Sequence, residues 1–193
     1  MNYDDFNSWV DLNKICKVVK TINADSQFKG GASNFFKEKF LNLAIEEAQL
    51  PPRDKLKFVD KVDYDFESPF GKIESKSQKD LVFTQGGKTK QPMMRNRCCQ
   101  FTLKNTNTKN DVGLNKTFDH LMLVQTSGVF MIGFVPYESL APHIYKEPDK
   151  WVCRLPTNAI HIVHHENING VNESKGFLDI NDIFRLQIRE IIG

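Results

Sequence analysis

The sequence predicts a mixed α/β (α+β) domain. Apolar residues recur at helical spacing over the first 52 positions, strand-like alternation fills the middle of the chain, and a second helical stretch closes it. A chain of 193 residues suits a single domain that buries its own core without covalent staples. With 40% hydrophobic and 26% charged residues the composition is that of a globular protein, which excludes disordered, collagen-like and coiled-coil classes.

The elements follow in order. Residues 4–22 read as an amphipathic helix, with Phe6, Trp9, Val10, Val18, Val19 and Ile22 at near-helical spacing. Gly30-Gly31 marks a loop. Ser33 is an N-cap for a second helix over 33–49, striped by Phe36, Phe40, Leu43 and Ala44 and stopped by Pro51-Pro52. Residues 57–67 form a strand, Ser68-Pro69-Phe70-Gly71 a turn, and 72–77 a second strand that Leu81-Val82-Phe83 extends. The polar stretch 84–117 is loop with a short strand at 99–103. Strands follow at 118–126 and 128–135, joined by a tight turn, and Pro136 opens a short helix. Later strands lie at 151–155 and 159–163, and Asp179 caps a helix over 180–192. No internal repeat is visible.

No apolar run reaches the roughly 18 residues of a membrane span. The first residues carry acids where a secretory leader carries basic residues. Cys16, Cys98, Cys99 and Cys153 include no C-x-x-C pair, and four free thiols in a reducing cytoplasm are expected. Net charge is only +2, yet its distribution is uneven. Residues 60–80 hold Asp60, Asp63, Asp65, Glu67, Glu74 and Asp80. From Phe83 to Asn110 there is no acid, while Lys88, Lys90, Arg95, Arg97, Lys104 and Lys109 all fall there. An acidic cluster beside an acid-free basic stretch points to a cation site next to a polyanion surface.

With Pro69-Phe70 at the tip of the turn, Asp65 faces Glu74 across the hairpin and Asp63 faces Lys76. Opposed residues share a face, as do residues two apart on one strand. Three carboxylates and one ammonium then converge. Such a cluster is costly unless a cation binds it, and oxygen donors of this kind suit Mg2+. A divalent ion with a nearby Lys supplies what phosphodiester hydrolysis needs. The bland alternative is a solvated sheet face carrying alternating charge.

Asp65…Glu74-Ser75-Lys76, with Ile73 before the Glu and Ser77 after the Lys, resembles the motif of the PD-(D/E)XK nucleases, notably type II restriction endonucleases. The motif spans about residues 60–80, and no Pro precedes Asp63 or Asp65. The resemblance implies a restriction-endonuclease-like core, a central mixed β-sheet flanked by helices. It implies catalytic Asp65, Glu74 and Lys76, with Asp63 as the alternative acid. Asp65, Glu74 and the Ser75 carbonyl would hold Mg2+, and Lys76 would orient the attacking water. Some members add a Glu from the preceding helix, for which Glu47 is the candidate, although a boundary residue at the helix end is the plainer reading. The resemblance also implies a homodimer, because one site cuts one strand. Double-stranded DNA would meet the basic segment through Gln91, Arg95, Asn96 and Arg97 at base edges and Lys88, Lys90 and Lys104 at phosphates.

Two rivals compete with this reading. His161, His164 and His165 with Asn167 have a weak similarity to HNH-type nucleases, without the final His or the bracing Cys pairs. The basic stretch equally suits a DNA-binding protein with no catalytic activity.

Overall fold

The computed structural model describes residues 2–24, 33–61, 63–78, 98–105, 116–126, 129–148, 150–168 and 183–193. The predicted first helix is broken. A 3-10 turn leads into α1 (Phe6–Trp9), and α2 (Leu12–Ala24) then starts afresh. The break has a local cause: the Asp11 carboxylate accepts the N–H groups of Asn13 and Lys14 at 3.1 and 3.3 Å, an N-cap that ends one helix and opens the next. Val10 between them is extended and bridges to Gln49. Helix α3 (Ser33–Glu47) falls where the Ser33 signal puts it.

The predicted strand 57–67 is instead a hairpin of its own. β1 (Lys57–Phe58) and β2 (Phe66–Ser68) pair antiparallel, Phe58 opposite Phe66. Asp60 takes a left-handed conformation at φ 47°, and Val59 N–H donates to the Asp65 carbonyl at 2.8 Å, closing the loop between the two strands. The next turn is as expected: β2 pairs with β3 (Gly71–Gln78) in the register Phe66–Ile73, Glu67–Lys72, Ser68–Gly71. The positions 81–83, expected to extend β3, lie outside the described residues.

The chain continues as β4 (Cys98–Asn105), β5 (His120–Gln125), β6 (Val129–Pro136), α4 (Tyr137–Leu140), β7 (Ile144–Glu147), β8 (Lys150–Pro156), β9 (His161–Asn167) and α5 (Ile183–Ile192). Strand β7 had no sequence expectation, and Asp179, the expected cap of α5, lies outside the described residues. A six-stranded sheet runs β1-β2-β3-β5-β6-β9, with β3 and β5 parallel and every other pair antiparallel. A three-stranded antiparallel sheet runs β4-β8-β7. At the outer margin of the large sheet, the Asn7 side-chain amide donates to the Val163 carbonyl of β9 at 3.0 Å.

The large sheet is apolar on both faces, as its nearly unbroken hydrophobic strands β5 and β6 require. On one face Ile73, Met122, Val124, Ile132 and Phe134 pack with Phe6, Ile15, Val19, Leu41 and Ile45 from the helices. On the other, Leu121, Leu123, Met131 and Val135 pack with Cys153 and Leu155 of the small sheet. A third cluster joins α2, α3 and α5 through Val18, Ile22, Phe40, Ala44 and Ile188. No described helix is long and apolar enough to cross a membrane. Cys16 and Cys153 are buried free thiols, as expected.

Candidate functional site

Strand β3 positions the site because its two edges are treated differently. One edge pairs with β5 along its length, from Ile73 opposite His120 to Gln78 opposite Gln125. The other pairs with β2 only as far as Ile73. Beyond that point alternate N–H groups of β3 face an open edge, and side chains take the place of a neighbouring strand. Asp65 Oδ2 accepts Ser75 N–H at 2.7 Å, and Glu38 Oε2 of α3 accepts Ser77 N–H at 3.2 Å. By the same alternation the Ser75 carbonyl opens on this edge.

Glu74 and Lys76, two apart, share the face of Leu121 and Leu123, the side on which the small sheet packs. Lys76 Nζ lies 2.6 Å from Glu74 Oε1 and 3.6 Å from Glu38 Oε1. The ammonium therefore sits between two carboxylates, and Asp65 and Glu74 lie close enough for each carboxyl to act on the other. Glu74, Asp65 and Lys76 are all largely withdrawn from solvent, the Glu74 side chain being only 10% exposed.

Burial, and then the charge of Glu74, push the Asp65 carboxyl up to about 7, against the opposing pull of the Ser75 N–H and Lys76. Burial also raises Glu74, against the opposing pull of Lys76. For Lys76, burial alone would lower the ammonium, but the charges of Glu38, Glu74 and Asp65 outweigh it and hold the group above its ordinary range. The site thus carries three carboxyl groups against one ammonium, and two of those carboxyls resist ionisation where they stand.

The expected residues divide clearly. Asp65, Glu74, Ser75 and Lys76 come together, although Asp65 arrives by its side chain on Ser75 N–H and not by the expected ladder pairing with Glu74, since the ladder stops at Phe66–Ile73. Asp63 does not: it is exposed in the β1–β2 loop, its carbonyl accepting the Thr117 hydroxyl at 3.1 Å. The expected Asp63–Lys76 pairing fails because the ladder ends at Phe66. For the helix carboxylate, the structure fits the plainer reading of Glu47 as a residue at the helix end. Glu47 forms a two-pronged ion pair with Arg189 of α5 at 3.1 and 3.2 Å, while Glu38 reaches the site. Glu38 was not anticipated from the sequence, although it lies two residues before Phe40 on the same helix.

Lys88, Lys90, Gln91, Arg95, Asn96 and Arg97 lie outside the described residues, and of Lys104 only the backbone, in β4, is described. The histidines of β9 do not assemble: His161 Nε2 lies 2.8 Å from Asp4, His164 Nε2 3.6 Å from Glu166, and His165 is exposed.

Among the described residues no three His, Cys, Asp or Glu side chains are grouped as a ready-made metal cage. Lys76, lying between Glu38 and Glu74, accounts for this. What the edge offers is the pair Asp65 and Glu74 with a main-chain carbonyl. Hard oxygen donors that are buried and reluctant to ionise alone fit a small dication, and Mg2+ is ordinarily held by one or two carboxylates plus water and phosphate oxygens. The fold is a mixed α+β architecture built on a six-stranded mixed sheet, and the site is a buried carboxylate–lysine cluster at an open strand edge. No family model, curated protein or solved structure matches the chain.

Proposed function

We propose that the chain is a Mg2+-dependent endonuclease that hydrolyses phosphodiester bonds of double-stranded DNA, a type II restriction enzyme of the PD-(D/E)XK kind acting as a homodimer. The observation that carries this reading is the meeting of Asp65, Glu74 and Lys76 at the open edge of β3. Residues nine apart in sequence, on either side of a hairpin turn, act on one another's charge beside a largely buried ammonium.

In this reading Asp65, Glu74 and the Ser75 carbonyl would hold Mg2+, which when bound would supply Lewis-acid polarisation of a phosphoryl oxygen and a lowered pKa for water. The protein's own residues do the rest. Lys76 stays protonated, so its Nζ donates to the attacking water and then to the charge that develops on the phosphorus oxygens. Glu38 keeps that ammonium in place from the α3 side. Burial by the small-sheet face excludes bulk water and strengthens each of these interactions. The acid-free segment with Lys88, Lys90, Gln91, Arg95, Asn96, Arg97 and Lys104 meets the DNA.

The test is incubation of the purified chain with plasmid in Mg2+ and, separately, in EDTA. Discrete fragments in Mg2+ alone are expected. A gel shift without cleavage in either condition would overturn catalysis and leave DNA binding as the function.

A further inference from the structure

The turn that joins β2 to β3 is gripped at one residue, Phe70. Its N–H donates to Ser68 Oγ at 3.2 Å. Its ring stacks on Trp9, with centroids 5.0 Å apart and an interplanar angle of 3°. Its carbonyl lies 3.2 Å from Nε2 of His120, the first residue of β5. The other ring nitrogen of His120, Nδ1, lies 2.8 Å from the Tyr3 hydroxyl. Tyr3 and Trp9 both belong to the N-terminal segment, which therefore holds the turn twice, directly through Trp9 and by way of His120 through Tyr3.

Chemistry fixes the proton on His120. A main-chain carbonyl only accepts, so the bond to Phe70 requires a hydrogen on Nε2. In the neutral ring Nδ1 is then bare, and Tyr3 donates its O–H to it. Burial, and then the charge of Glu138, push the Tyr3 hydroxyl up to about 12, which keeps it a donor. Tyr3 is itself steadied by stacking on Phe134, with centroids 5.1 Å apart and an interplanar angle of 7°.

The pinned turn leads to the carboxylate site through a continuous set of bonds. His120 pairs with Ile73 in the β3–β5 ladder, and the Ile73 carbonyl accepts the Asp65 N–H at 2.9 Å. Two residues on, the Ser75 N–H meets Asp65 Oδ2. Asp65 is thus tied to β3 by main chain and side chain, on a hairpin whose tip His120 ties to β5. The Phe70 carbonyl is near the surface, where water can replace a lost donor at little cost in stability. What the imidazole contributes is direction.

We propose that His120, in the tautomer that Tyr3 imposes, is a positioning residue of the carboxylate site: it pins the Phe70 carbonyl and so fixes where Asp65 stands against β3. The functional meaning of this role rests on the nuclease reading above. Groups that orient a metal-binding side chain from behind ordinarily change affinity or activity roughly 10–100-fold when removed.

The experiment compares wild type, His120→Leu, His120→Gln and Tyr3→Phe. In the metal-free wild type, nitrogen NMR of the imidazole is expected to show Nε2 protonated and Nδ1 bare. In His120→Leu, amide exchange at Asp65 and Ser75 is expected to quicken about tenfold while exchange at Ile132 keeps the wild-type rate. Plasmid cleavage by this variant in Mg2+ is expected to show kcat about tenfold lower with KM unchanged. His120→Gln, whose side-chain N–H can take up the same carbonyl, restores most of both. Tyr3→Phe removes only the hydroxyl, gives a mixture of tautomers and falls between. A wild-type ring carrying its proton on Nδ1 would overturn the inference even if no variant folds. So would wild-type exchange at Asp65 and Ser75 in His120→Leu, or a uniform rise across the sheet with no rescue by Gln, the mark of a merely structural residue. Absence of cleavage by the wild type in Mg2+ would instead overturn the nuclease reading, and the tautomer and exchange data would still decide whether His120 fixes Asp65.

Discussion

Asp65 receives the Ser75 N–H at 2.7 Å and so fills, with a side chain, the place on β3 that a paired strand's carbonyl would fill. The carboxylate is fixed on one side by the main chain of the strand whose next residue is Lys76. The same carboxyl group feels the charge of Glu74. A group held in this way is pre-oriented for a cation but remains buried and hard to ionise without one.

Lys76→Ala removes the ammonium that stabilises Glu74. Cleavage of plasmid in Mg2+ is expected to fall at least 100-fold, within the range ascribed to positioned charge stabilisation. Binding measured by gel shift is expected to persist. Cleavage at the wild-type rate would remove Lys76 from the mechanism. Under the same assay His165→Ala is expected to cut normally, since that side chain is exposed on β9 and touches none of the site.

Two helix glutamates are expected to behave differently. Glu38→Gln weakens the hold on Lys76 Nζ and on Ser77 N–H, and cleavage should drop by about tenfold or more. Glu47→Gln weakens the Arg189 pair, in which the guanidinium is 60% exposed but the Glu47 side chain only 9%, and should cost roughly 1–3 kcal/mol of stability with cleavage intact. Kinetics and urea titration of the two variants check this, and equal loss of activity in both would contradict the assignment.

The raised Asp65 carboxyl gives a pH signature. Between its ordinary value of 3.8 and about 7 the folded chain holds a proton that the unfolded chain has released. This group's contribution therefore makes metal-free stability fall as pH rises through that window, and Glu74 acts in the same direction. Asp65→Asn should flatten the dependence and raise stability at pH 8 by roughly 1–3 kcal/mol. Mg2+ binding should strengthen as pH rises through about 7, because a cation selects the ionised carboxylate. Urea midpoints at pH 5 and 8, with and without Mg2+, test both signs.

Gly71 has φ 123°, and a Cβ there would lie 2.5 Å from Asp119 Oδ2, the oxygen that accepts Lys72 N–H at 3.0 Å. Gly71→Ala should destabilise the chain by roughly 1–3 kcal/mol through backbone strain and displacement of Asp119. Because this turn sets the register that brings Asp65 to Glu74, cleavage should fall as well. A thermal midpoint equal to wild type would show that the turn accommodates the methyl group.

The parts of the site that depend on a short stretch of chain were legible. Ser68-Pro69-Phe70-Gly71 dictates a turn, and the turn dictates that Phe66 meets Ile73, from which the Asp65–Glu74 approach follows. What was missed depends on contacts far along the chain. The alternation of 57–67 looked like one strand, but Asp60 adopts a left-handed conformation and folds the segment back on itself, which removes Asp63 from the cluster. Both helix glutamates lie near the apolar stripe of α3. Their partners, Ser77 for Glu38 and Arg189 for Glu47, are 39 and 142 residues away, so the helical pattern alone had no means of choosing between them.

The margins of the large sheet bear on self-association. β1 contributes only two residues, and on β9 the Asn7 amide already occupies the Val163 carbonyl. At β1 the border is too short to template a long added strand, and on β9 the Asn7 amide takes one of the main-chain groups that an added strand would need. A second copy of the chain that added a strand at β9 would first have to displace that amide, which sets a cost on extending the ladder there.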